Sequence, residues 1–169
     1  AHFIATKLCR HFLADDPSPE AIERIAALFL ETDGDLAQVS AALIQEPEAW
    51  EPFHKYKRPY ELILSALLIV PQVEAEALKT TRYLGQSPFT ATSPAGWSDR
   101  QADWLTPEAV GARLEWAQRM GEGYQSRVNA LKIAEQNFGP LLSNPTRATL
   151  KQSSNPLGLL LASPEFQWR

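Results

Sequence analysis

Pro59-Tyr60-Glu61-Leu62-Ile63-Leu64-Ser65-Ala66-Leu67-Leu68-Ile69-Val70 is the stretch that decides the fold class. A proline at the first position of a helix gives up an amide hydrogen that has no intrahelical partner there, and its fixed φ already suits the helix. The residues behind it are apolar on most sides, the pattern of a central, buried helix. Its uncharged run Leu62–Val70 is nine residues long, against about 20 needed to span a bilayer. The segment therefore predicts a core helix and not a membrane anchor.

Outward from it, the same start signal recurs. Pro19-Glu20, Pro47-Glu48, Pro107-Glu108 and Pro164-Glu165 each place an acidic residue in a first turn, where the positive end of the helix dipole favours it. Pro145 and Pro156 open further helix-compatible stretches.

Upstream, Phe3, Ile4, Leu8, Phe12 and Leu13 recur at helical spacing until Asp15-Asp16-Pro17 stops the helix. Ser18 caps a second helix with the stripe Ile22, Ile25, Ala26, Leu28 and Phe29. Asp35 with Gln38 resembles a capping box for a third, carrying Leu36, Val39, Leu43 and Ile44. Residues 46–58 read as irregular, with one short turn at Pro47.

Downstream, a fifth helix runs from after Pro71 to Leu84, ended by Gly85 in a left-handed conformation. A sixth begins at Thr106-Pro107 with Val110, Leu114 and Ala117 on one face and is interrupted at Gly121 and Gly123. Short helices follow around Leu131–Phe138, Pro145–Leu150 and Pro156–Ala162, with a last turn at Ser163-Pro164-Glu165. The fold class expected is all-α: an irregular bundle of about seven to nine short helices in a single domain over 1–169, with one long ordered loop.

That loop, Gly85 to Trp104, holds Pro88, Phe89, Pro94, Gly96 and Trp97. Loops of about twenty residues are uncommon in compact domains, so it either has a task or packs as a flap. Trp97 and Trp104 could present rings to a sugar or a peptide, or equally plug the flap onto the helices. Arg113 and Glu115, flanking Leu114, are placed to anchor it through Asp99 or Asp103. An echo joins Leu43–Trp50 to Leu160–Trp168: each is the end of an apolar helix, a Pro-Glu turn and an aromatic that would fold back over the helix just left.

The 169 residues are 44% hydrophobic and 21% charged, ordinary values for a globular chain, and the net charge is −4. That balance argues against a dedicated nucleic-acid binder. Cys9 is the only cysteine, which excludes an internal disulfide and a multi-cysteine zinc site. His2 and His11 face opposite sides of one helix and cannot share a metal, so no metal or cofactor is expected. Gly96-Trp97-Ser98-Asp99-Arg100 lacks the second glycine of a serine elbow, and Gly121-Glu122-Gly123 follows a helix where a phosphate loop needs a strand.

The densest basic run is His54-Lys55-Tyr56-Lys57-Arg58, beside Phe53. It could hold phosphate or a nucleic-acid backbone through Lys55, Lys57, Arg58 and a stacking Tyr56. The preferred reading is a solvated loop, or a partner for the nearby Glu46, Glu48 and Glu51.

Three segments together, Phe3–Phe12, the stretch Leu84–Phe89 leading to Pro94-Ala95-Gly96-Trp97 and Trp104, and Leu161–Gln167, resemble a large bacterial family catalogued as domain of unknown function 1800. The segments fall in the family's order along the whole chain. The resemblance implies the C-terminal portion of a longer protein and tilts localisation toward the bacterial envelope or secretion. It brings no activity and no catalytic residues.

Function on these grounds is unknown. The first reading is a non-catalytic helical module that binds a protein or polymer through Trp97, Trp104, Asp99 and Arg113. The alternative is part of an enzyme whose active site lies mainly upstream, in which His11, Asp15, Asp16 or Arg113 would line a pocket. A weaker one is an anion or nucleic-acid contact at 54–58.

Overall fold

The computed structural model describes residues 1–71 and 74–169. Among them the chain is helical, with nine α-helices of seven or more residues and one short terminal turn of helix, as the all-α reading requires. The backbone falls into two compact units, Ala1–Lys55 and Tyr56–Arg169.

In the first unit α1 (His2–Phe12), α2 (Pro19–Glu31) and α3 (Leu36–Gln45) are followed by a 3-10 turn, Pro47–Trp50. The expected starts hold. Ser18 accepts from the Ala21 amide, and Asp35 accepts from the amides of Ala37 and Gln38. The Gln38 amide group bonds the Asp35 carboxylate at 2.9 Å, so the box closes on the side chain rather than on the backbone.

The core is Ala5, Cys9, Leu13, Ala21, Ile25, Ala26, Val39 and Leu43. The face of α1 that packs is therefore Ala5-Cys9-Leu13, and not the larger Phe3 and Phe12, which are exposed. Small side chains let helix backbones approach closely, which the bulkier stripe does not. Cys9 is a buried small hydrophobe whose thiol is pushed up to about 11, by burial first and then by Glu46 and Glu48. Trp50 folds back as the echo predicted: its indole N–H caps the Ile44 carbonyl at 2.7 Å, although the ring stays exposed.

The second unit contains α4 (Pro59–Ile69), α5 (Glu74–Tyr83), α6 (Pro107–Tyr124), α7 (Ala130–Phe138), α8 (Asn144–Gln152), α9 (Pro156–Ala162) and α10 (Pro164–Gln167). Gln72 and Val73, where the fifth helix was expected to begin, lie outside the described residues. The centre is not α4. That helix buries Leu62, Ile63 and Ala66, but Leu68 is 85% exposed. A helix apolar all round gives no directional signal, so its sequence could not say which face would be covered.

The central element is α9, with Leu157, Leu160 and Leu161 buried against α6. Each such side chain contributes roughly 1.5–3 kcal/mol. The α6 helix runs unbroken through Gly121, which was expected to interrupt it. A Cβ at Gly121 would lie 1.8 Å from Asn155 Oδ1 and 2.5 Å from the Gly158 amide nitrogen. The glycine is there for close approach of α9, not for a break.

Candidate functional site

The face of α6 that packs inward is Arg113, Trp116, Ala117, Met120 and Gly121. Arg113 is 2% exposed and Leu114 is 50% exposed, the reverse of the expected arrangement. What turns the helix this way lies far along the chain. One guanidinium nitrogen of Arg113 donates to Gln167 Oε1 at 2.9 Å and another to the Lys57 carbonyl at 2.7 Å. The guanidinium carbon lies over the Tyr56 ring, 4.2 Å from its centre. A buried guanidinium satisfied in this way is held rather than orphaned. Burial pulls its pKa below the ordinary arginine value, against the opposing influence of Tyr56 and Glu61.

Around this arginine the run 56–58 and the tail 166–169 clasp each other. The Lys57 amide donates to the Gln167 carbonyl at 2.9 Å, and Tyr56 and Trp168 form an isolated antiparallel bridge. Their rings meet edge-on at 5.1 Å, so Trp168 packs. The Gln167 side-chain amide reaches back to the Leu161 carbonyl at 2.7 Å. Lys57 donates to the Phe166 carbonyl at 2.7 Å, with its ammonium over the Phe166 ring. Desolvation lowers the Lys57 pKa to about 8, with Glu61 opposing and Arg169 assisting.

Glu61 gathers the remaining charges: it bonds Arg58 at 3.1 Å and pairs with Arg169 at 3.1 Å. Burial works to raise its carboxyl, but the Arg58 hydrogen bonds and the two arginine charges outweigh that and hold it below the usual range. Glu165, also buried, accepts from the Ser143 amide and the Thr146 hydroxyl, tying the tail to the start of α8.

The long loop is pinned at several points. Gln86 Oε1 accepts from the Tyr60 amide at 2.8 Å, and Asp99 pairs with Arg58 at 3.2 Å, so the anchoring cation comes from the basic run. Glu115, the other expected anchor, accepts from the Tyr83 hydroxyl. Trp104 is buried and donates from its indole to the Ser98 carbonyl at 3.1 Å, which makes it a plug. Trp97 is half-buried, 6.1 Å from it. Phe89 stands out fully exposed at φ 60°, a left-handed conformation that non-glycine residues seldom adopt.

Of the other candidates, Lys55 is buried in the first unit and forms an ion pair with Asp15. His54 pairs with Glu51, and Glu46 is taken by Arg24. His11 lies edge-on to Phe12, and Asp16 is exposed. Among the described residues no group of three or more His, Cys, Asp or Glu side chains could hold a metal ion, and no helix is long and apolar enough to cross a membrane. The sequence reading passed over a second set of cations, Lys79, Arg119 and Arg127, which line the groove beside α5 and α6.

An irregular helical bundle whose buried arginine is spent on holding its own tail defines an all-α module, with the chemistry of its centre turned inward. The chain belongs to the family described as "Protein of unknown function (DUF1800)", whose model matches residues 1–168. No curated protein and no solved structure matches it.

Proposed function

We propose that this chain is a non-catalytic helical module, the C-terminal portion of a longer bacterial envelope or secreted protein, that engages a polymer through the loop 85–104. The observation that carries this reading is Phe89: a fully exposed ring in a loop pinned at Gln86, Asp99 and Trp104. Holding a non-glycine residue at positive φ costs about 1 kcal/mol or more, a strain that persists where surrounding structure imposes it. Trp97 adds a second, half-covered ring nearby in sequence, while Trp104, Asp99 and Arg58 serve as the loop's fastenings. Exposed rings on a fixed backbone suit the apolar faces of sugar rings, because little side-chain freedom is lost on contact.

The reading is tested by co-sedimentation with insoluble peptidoglycan, chitin and cellulose. Binding to at least one, reduced about tenfold in Phe89→Ser with an unchanged circular-dichroism spectrum, is the expected result. Absence of binding to all three, or equal binding by the variant, overturns it.

A further inference from the structure

A groove of about 530 Å³ in the second unit lies between α5 and the C-terminal half of α6. Its size falls in the range of small-molecule sites. Three cations reach it, Lys79, Arg119 and Arg127, against one carboxylate, Glu76, in a chain whose overall charge is −4. None of the three has an ion-pair partner among the described residues, in contrast to Lys55, Arg24, Arg58, Arg147 and Arg169.

Both arginines are laid on tyrosines. The Arg119 guanidinium is 4.8 Å from the Tyr83 ring centre and that of Arg127 is 5.2 Å from Tyr124. Arg119 also shares a hydrogen bond with the Tyr83 side chain, and the donors a guanidinium has left over can grip an oxyanion with two hydrogen bonds. The neighbouring carboxylates on α6 are already occupied: Glu115 by the Tyr83 hydroxyl at 2.6 Å and Glu122 by Gln118 at 3.0 Å. Thr80, 7% exposed, lines the groove with no hydrogen-bond partner for its hydroxyl among the described residues.

We infer that this groove is a binding site for a small organic oxyanion carrying acid groups at two points, one for each stacked arginine. Arg119 stands on α6 and Arg127 in the 3-10 turn Gln125–Arg127 that follows it, so the two guanidinium groups reach the groove from different elements. Lys79 supplies further positive charge, and Thr80 a neutral hydroxyl. Carboxylate and phosphate share this chemistry, and the inference stands independently of the loop reading.

The test is a titration of the whole chain with octanedioate and, separately, with 1,6-hexanediol bisphosphate. Binding is followed by amide NMR shifts, with acetate and inorganic phosphate as single-anion controls. At least one of the two-headed probes should bind more tightly than about 1 mM, with shifts confined to α5, the end of α6 and residues 125–127. Arg119→Gln and Arg127→Gln should each weaken that binding about tenfold, and added salt should weaken it further. Glu76→Gln should tighten it. Preference for one probe identifies the acid group as carboxylate or phosphate. Binding of neither probe, shifts scattered over the surface, equal affinity for the single-anion controls, or variants that bind like the wild type would each overturn the inference.

Discussion

The two sets of cations in the second unit make opposite use of the same side chains. Lys57, Arg58 and Arg113 are drawn into the fold, each with a carbonyl, an amide oxygen or a carboxylate from the chain itself. Lys79, Arg119 and Arg127 stay at the surface without an ion-pair partner among the described residues, the two arginines over tyrosine rings. Composition cannot distinguish the two sets, because what differs is whether a distant segment supplies an acceptor. The basic run that looked most available to an anion is the one the fold has consumed, while an arginine pair without local emphasis is left facing a groove.

The sharpest way to break this contrast is Arg113→Ala. It empties a buried site and leaves Gln167 Oε1 and the Lys57 carbonyl unpaired, so a loss of roughly 3–4 kcal/mol is expected in urea unfolding. A loss below about 1 kcal/mol would mean that the clasp contributes little. Gly121→Ala comes next, at roughly 2–3 kcal/mol, since the added methyl meets Asn155 and the Gly158 backbone. An unchanged midpoint in thermal unfolding would contradict the close approach of α9.

Lys57 gives a pH signature. Its folded pKa, about 8, lies below the ordinary lysine value of 10.5, so the folded state binds its proton less tightly than the unfolded chain. The destabilisation is complete below about pH 8 and is relieved as pH rises towards 10.5. Cys9, Tyr56 and Tyr83 are shifted upward and work in the opposite sense at high pH, so the measurement is the difference between wild type and Lys57→Met. That difference should shift by roughly 2–3 kcal/mol between pH 7 and 10. A flat difference would place the ammonium in water.

Smallest of all, Arg119→Gln and Arg127→Gln should leave stability within about 0.5 kcal/mol of wild type, because neither holds the fold together. A large loss from either would erase the distinction between spent and available cations.

Most of the architecture was legible because helix starts are written locally. Ser18, Asp35 and Thr106 cap where they were read to cap, and the prolines at 19, 59, 107, 156 and 164 each open a helix. What could not be read is which face turns inward. The α6 stripe named Leu114 and missed Arg113, whose acceptors lie 54 and 56 residues away. Gly121 looked like a breaker because its reason, Asn155, lies on another element. For the site, Trp104 as plug and Asp99 as anchor were within reach, but the anchoring cation was sought on α6 and lies at Arg58.

The clasp also sets a clock. Lys57 finds its acceptor on Phe166, which is 109 residues further along the chain. At about 5–20 residues per second, a ribosome leaves Tyr56–Arg58 waiting for roughly 5–20 s before their counterparts emerge. Until then the run at 56–58 has no tail to close on. The first unit can settle during synthesis, while the second is obliged to finish late.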